Sequence, residues 1–323
     1  MSEYGNSGNK KWLVVVNPNA GTRKGEKDWP KIQELLSKHD FNCHTVFTKN
    51  RNHAIALTSS AIEEGYRDII VVGGDGTLNE VVNGVFRQNI CAPADVAIGM
   101  IPVGTGNDWG RMYGLPKKYK KAIKVIRKNY LFTQDAGFVS YHDEEGSHER
   151  YFINVSGMGY DALVALKTNR MKDKGRGGTL AYILNIFTGL YQYENIHFDI
   201  SVDGKDVFSG KVLSMNLGIC KYNGGGLMQV PNAIPDDGLL DVTVIKAISK
   251  FKIIKNVTKL YDGSIAKLKF VNTYRGATCR IVSRPQGSVY LEADGESLGH
   301  SPLEFSVIPK ALNFIIPKPE TTE

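Results

Sequence analysis

Long apolar runs are missing from this chain. The most membrane-like stretch, Thr179 to Tyr193, falls short of the roughly 20 residues a spanning helix needs and is interrupted by Asn185, Thr188 and Gly189. No spanning helix is expected, although contact with a membrane surface stays open. The first residues, Met1 to Asn9, lack the apolar core of a secretion signal and read as a short polar tail. Cysteine is scarce: Cys43, Cys91, Cys220 and Cys279 are too scattered for a zinc pattern or a disulfide framework, which is compatible with a reducing cytoplasm. A surplus of acid is absent too. Forty Lys and Arg against 33 Asp and Glu leave a net charge of +7, which suits nucleotides, nucleic acid or anionic lipid without choosing among them. At 323 residues and 42% hydrophobic composition the chain can bury a substantial core, and its length predicts two domains.

What is present is organised around Ile69 to Glu80. The apolar run Ile69 to Val72 has the length and β-branching of a parallel strand covered on both faces. It stops on Gly73 and Gly74, and Leu78, Val81, Val82 and Val85 then recur at helical spacing. Glycines without a Cβ let a bulky anion lie against the backbone, where free N–H groups at a helix start favour phosphate. Asp75 sharpens this, because a carboxylate beside phosphate needs a divalent cation between them, so a nucleotide bound with Mg²⁺ is expected. Asp75 as a plain strand stop or helix cap is the simpler alternative. Thr77 with Glu80 fits a capping box.

The same device recurs twice. Trp12 to Val16 is a strand broken by Asn17-Pro18-Asn19-Ala20-Gly21, with Arg23 and Lys24 behind it. Val96 to Ile101 is a strand followed by Gly104-Thr105-Gly106-Asn107-Asp108, where Asn107 or Asp108 alone could be an N-cap. Helices are expected over Trp29–Ser37, Ala54–Glu64 and Leu78–Phe86, with a strand at Cys43–Phe47. This alternation means a parallel sheet whose ligands gather beyond the carboxyl ends of its strands. Lys117 to Lys128 then forms an amphipathic helix with seven basic residues and no acid. A solvated face is its default role and attraction to acidic lipid the alternative.

Beyond about Gln134 short alternating strands with Gly and Asp turns announce a second, β-rich domain, giving domains at 1–133 and 134–323, with the last strand, Leu312 to Ile316, able to return to the first. A long helical stretch from Asp161 through Tyr193 intrudes, with the basic cluster Lys167 to Arg176 and then the apolar run Leu180 to Leu190. Asn223 to Gly226 and Pro231 to Asp241 combine tight turns with adjacent carboxylates, for which a cation or full solvation are both remedies. In Glu292-Ala293-Asp294-Gly295-Glu296 the Asp-Gly pair is a hairpin signal, leaving open where its acids point.

Asn17-Pro18 with Gly21, Gly73-Gly74-Asp75-Gly76-Thr77, Gly104 to Asp108, Asp236 to Asp241 and Asp294-Gly295-Glu296 together resemble the bacterial diacylglycerol kinase-like lipid kinases, in that family's order and over nearly the whole chain. The glycine-aspartate turn alone is shared with NAD kinases. The lipid-kinase resemblance implies an α/β nucleotide-binding domain, a C-terminal β-sandwich, ATP bound in a cleft between them, and phosphorylation of a lipid hydroxyl. It implies ATP contacts from Asn17, Thr48, Gly73, Gly74, Asp75, Gly76, Thr77, Leu78, Asn79, Glu80, Gly104, Thr105, Asn107 and Asp108, with Asp75 assisting the catalytic Mg²⁺. Glu296 is implied as proton acceptor with Asp294 beside it in the catalytic turn, and Asp237 with the carbonyls of Ile234 and Leu239 as a structural Mg²⁺ site. The implied partners are ATP, a lipid acceptor and, transiently, an anionic membrane surface touched from the cytoplasm, with no nucleic acid and a homodimer left open. An NAD kinase-like enzyme for a soluble acceptor and an inactive nucleotide sensor are the rival readings.

Overall fold

The computed structural model describes residues 10–173, 189–190 and 193–319. The chain forms two compact units, one of residues up to Gln134 together with Lys310 onward, the other of Asp135–Pro309.

In the first unit β1 (Lys11–Val16), β2 (Asn42–Phe47), β3 (Asp68–Gly73) and β4 (Ala97–Pro102) lie parallel in the order β2-β1-β3-β4. Helices α1 (Ala20–Ser37), α2 (His53–Glu63), α3 (Asp75–Arg87), α4 (Asp108–Met112) and α5 (Tyr119–Lys128) alternate with them. The runs Trp12–Val16 and Ile69–Val72 are at most 1% exposed, as strands covered on both faces must be. On α5 the apolar Ala122, Ile123 and Ile126 are buried while Lys120, Lys121, Lys124 and Lys128 are exposed, so the amphipathic division of the sequence holds.

Two helix starts differ from expectation. The first helix begins at Ala20, with an irregular first turn in which Gly21, Thr22 and Arg23 are left-handed. α3 begins at Asp75 directly after an extended Gly74, three residues earlier than the apolar spacing predicts. Thr77 therefore lies inside the first turn and cannot serve as its cap.

The second unit is antiparallel. Its strands are β5 (Leu131–Asp143, starting just before the unit), β6 (Gly146–Phe152), β7 (Val155–Gly159), β8 (Ile196–Val202), β9 (Lys205–Gly218), the short β10 (Tyr222–Asn223) and β11 (Leu227–Met228), β12 (Leu240–Lys246), β13 (Val271–Gly276), β14 (Thr278–Arg284), β15 (Tyr290–Ala293) and β16 (Glu296–Ile315). One ladder runs β13-β12-β9-β7-β15-β16, and β8 joins β9 to β14, which pairs with β16. Helices α6 (Tyr160–Asp173) and α7 (Lys250–Asn256) interrupt the strands. Residues 174–188, which carry Lys174, Arg176 and most of the apolar run expected as a long helix, lie outside the described residues. The end of β16 belongs to the first unit, where Asn313 and Phe314 pair in parallel with Ala97 and Ile98 of β4.

Candidate functional site

Three loops meet at the carboxyl ends of β1, β3 and β4. Asn17 is locked to β3 and the helix that follows it: its backbone N–H donates to Val72 O at 3.0 Å, and its side-chain Nδ2 donates to Thr77 Oγ1 at 2.9 Å. Thr48, at the end of β2, donates its N–H to Val16 O at 2.9 Å, which sets it beside this loop, where it is 7% exposed. The other two loops touch backbone to backbone. A Cβ on Gly104 would stand 2.6 Å from Gly74 Cα, a distance no side chain tolerates, so glycine is obligatory for this approach.

Asp75 is the pin between them. Its Oδ2 accepts the Asp108 N–H at 3.0 Å and its Oδ1 the Trp109 N–H at 3.1 Å, so it satisfies two orphan donors at the start of α4. The sequence left Asp75 as a cap or a metal residue, and here it caps a helix 33 residues away. The position a Cβ would take on Gly106 is 3.4 Å from Asp75 Oδ2 and 3.5 Å from Asp108 Oδ2, so two carboxylates converge on the open side of that glycine. Nearby, Asn107 is left-handed, its Nδ2 donates to Gly104 O at 2.6 Å, and its Oδ1 is buried without a partner.

This donor set fits Mg²⁺, which is commonly held by one or two carboxylates plus substrate phosphates. Among the described residues no cluster of three His, Cys, Asp or Glu side chains forms a self-sufficient metal cage. The exposed Thr105 and the half-buried Gly74 and Gly76 remain accessible. The run Gly21-Thr22-Arg23, with φ of 62°, 60° and 64°, adds left-handed backbone in the first loop, strain of the kind found at ligand sites.

Other residues expected at the nucleotide are used differently. Leu78 and Asn79 are fully buried, Leu78 in the core and Asn79 Oδ1 accepting from Asn83 Nδ2 at 3.1 Å. Glu80 accepts the N–H groups of Asn52 at 2.8 Å and Ala54 at 3.1 Å, so it caps α2 rather than α3, and the expected capping box does not form.

In the second unit Asp294 and Gly295 have φ of 49° and 83°, and Ala293 faces Glu296 in register, giving the expected two-residue hairpin. Asp294 points inward. Its oxygens accept the N–H groups of Ile153 and Asn154, each at 2.9 Å, leaving it 5% exposed, whereas Glu296 is half-buried. The two acids thus differ in setting, Asp294 holding the turn and Glu296 partly open to solvent.

Behind this turn lies a buried polar group whose partners the sequence did not reveal. Glu292 Oε2 accepts the Gly295 N–H at 2.8 Å and Oε1 accepts from Asn223 Nδ2 at 2.7 Å. Burial, with the charges of Asp161 and Asp294 adding to it, pushes the Glu292 carboxyl up to about 8. Asp161 is also raised by burial, against the hydrogen bonds it accepts from Ser214, Asn216 and Gln229. The sequence signals were Glu292 itself, in the acidic hairpin run, and Asp161, an acid two residues past the end of the buried strand Val155–Gly159.

The expected cation loop is ordered by side chains. Asp135 Oδ2 accepts the Gly238 N–H at 2.7 Å, and Asp237 Oδ1 accepts that of Leu239 at 3.1 Å. Arg275 pairs with both Asp237 and Asp241, and Ile234 is 46% exposed. Asp236, Asp237 and Asp241 face the charges of Arg275 and, at Asp241, Lys221, three acids against two cations, so a hydrated cation is compatible with the loop.

A family model described as the diacylglycerol kinase catalytic domain matches residues 11–139, and one described as the YegS C-terminal NAD kinase beta sandwich-like domain matches residues 154–316. A diacylglycerol kinase of Mycobacterium tuberculosis is 31% identical over 309 residues, 95% of this chain and 96% of that protein. The crystal structure of a diacylglycerol kinase from Bacillus anthracis superposes with a TM-score of 0.70 at 25% identity, covering 95% of this chain and 97% of the other. An NAD kinase from Archaeoglobus fulgidus in complex with ATP gives 0.51 at 12% identity over 94% and 93%, a likeness of fold alone. The expected architecture, an α/β nucleotide-binding domain followed by a β-sandwich, is the one found.

Proposed function

From the premise that this chain belongs to the diacylglycerol kinase family, we propose that it is an ATP-dependent lipid kinase that transfers the γ-phosphoryl group to a hydroxyl of diacylglycerol or a related lipid. The observation that carries this reading is the convergence of the Asp75 and Asp108 carboxylates on the open side of Gly106, among three loops at the ends of parallel strands. Mg²⁺ bound there would neutralise phosphate charge. Asn17, Thr48, Gly73, Gly74, Gly76, Thr77, Gly104, Thr105 and Asn107 shape and line the nucleotide site, while Leu78, Asn79 and Glu80 support it from within. Glu296 accepts the proton of the lipid hydroxyl as that oxygen bonds to phosphorus and the bond to the ADP leaving group breaks. Asp294 holds the turn that presents Glu296. A structural Mg²⁺ at Asp237, with the carbonyls of Ile234 and Leu239, belongs to the same proposal.

The test is incubation with labelled ATP, Mg²⁺ and a panel of diacylglycerol, monoacylglycerol, phosphatidylglycerol, sphingoid lipids, polyprenol and NAD. Label is expected in a lipid, most readily diacylglycerol. It should fall by about two orders of magnitude or more in Asp75→Asn and in Glu296→Gln, with ATP affinity kept in the latter. Label in NAD and in no lipid sinks the proposal, and ATP binding without transfer would make the chain a sensor.

A further inference from the structure

The second unit carries an outward apolar surface that its own core leaves unused. Phe251 is 75% exposed, Ile254 52%, Val257 40% and Tyr261 62%, all within eleven residues that run along α7 and the 3₁₀ turn Val257–Leu260 after it. Single exposed apolar side chains are ordinary, but four recurring at helical spacing on one short segment are a patch. The segment is not loose. Ile253 packs against the cluster of Tyr160, Val164 and Leu213, and Ile265 is buried just beyond it, so the elements are seated by one face and display the other.

Charge tells what the displayed face fits. Between the apolar residues stand Lys252, Lys255 and Lys259, and residues 246–270 hold seven lysines against one acid, Asp262. Asp262 turns back to accept the Ser264 N–H at 2.9 Å. An apolar surface whose charged rim is mostly lysine suits an interface of hydrocarbon and anionic headgroups, since long lysine stems lie along apolar matter while their ammonium groups reach phosphate. The basic face of α5, the first place the sequence suggests for lipid, has its apolar side buried and offers charge alone.

We propose that residues 250–261 are the surface by which this protein docks on an anionic phospholipid membrane, Phe251 and Ile254 entering the headgroup layer and Lys252, Lys255 and Lys259 pairing with lipid phosphates. The purpose of such docking rests on the lipid-kinase reading, but the docking itself needs no nucleotide.

The full chain is sedimented, without ATP, with vesicles of phosphatidylcholine alone and of phosphatidylcholine mixed with phosphatidylglycerol, at low and high salt. Binding is expected to the mixed vesicles only and to weaken with salt. Phe251→Ala with Ile254→Ala, and separately Lys252→Glu with Lys255→Glu, should each lower the bound fraction about tenfold or more while leaving the melting temperature unchanged, because these side chains are outside the core. Lys120→Glu with Lys124→Glu on α5 should bind nearly as the parent does, and Phe251→Trp should shift its emission to the blue on binding. Failure of the parent to bind, or undiminished binding by the two patch variants, overturns the inference. So does a patch that captures a second protein but no vesicle. A chain that phosphorylates detergent-dispersed lipid yet ignores vesicles refutes docking alone, and one that docks but transfers no phosphate refutes the kinase alone.

Discussion

At Glu292 a carboxyl group 1% exposed is held between the Gly295 N–H and the Asn223 side chain, with Asp161 and Asp294 close enough to disfavour a further negative charge. Its folded-state value of about 8 stands above the ordinary 4.5. The folded chain therefore keeps a proton that the unfolded chain gives up between those values, and the stability tied to it is complete below 4.5 and lost as pH rises through about 8. Glutamine at this position stays neutral throughout and still offers an oxygen to Asn223. The melting temperature of the parent should thus fall relative to that of Glu292→Gln as pH is raised across this window. Parallel profiles for the two proteins would show that Glu292 titrates as an ordinary surface acid does. Because its Oε2 also accepts from Gly295, the same residue positions the turn that presents Glu296.

Elements were legible in the sequence where their signals are local. Strands buried on both faces read as the continuous apolar runs Trp12–Val16 and Ile69–Val72, each small-residue turn marks a strand end, and Asp294-Gly295 marks its hairpin because a left-handed pair of residues needs such chemistry. Contacts between distant elements left no such trace. Glu80 binds amides 28 and 26 residues away, and Asp75 binds amides 33 and 34 away, so the spacing that suggested a capping box within α3 pointed to the wrong partners. The Asp237 loop is intermediate: its acids are visible in sequence, its pairing with Arg275 is not. That pair is partly exposed, so losing it should cost about 1 kcal/mol or less. Asp237→Ala is expected to melt slightly below the parent without Mg²⁺, and the gap should widen when Mg²⁺ is added, because only the parent gains a ligand of its folded form. A gap that is the same with and without Mg²⁺ would leave Arg275 as the whole explanation of this carboxylate.

For the molecule as a whole, the first unit is completed by the last strand of the chain. Leu312, Phe314 and Ile315 are fully buried and Ile316 is 5% exposed, and the Phe314 ring lies 4.5 Å from that of Trp109, whose backbone N–H is one of the two that Asp75 holds. Core packing from the chain's end thus reaches the pin of the candidate site through one aromatic contact. Burying each of these four side chains contributes about 2 kcal/mol, so together they supply roughly 8 kcal/mol. A domain's whole stability is about 5–15 kcal/mol, so the unit cannot spare them. Residues 1–134 produced alone should show no cooperative thermal transition and no ATP binding, while the same fragment with residues 310–319 appended through a flexible linker should regain both. A cooperative melt and ATP binding by 1–134 alone would contradict this. With the strand required, the nucleotide-binding unit cannot finish folding until residues 310–316 have been made, although residues 1–134 are synthesised well before them.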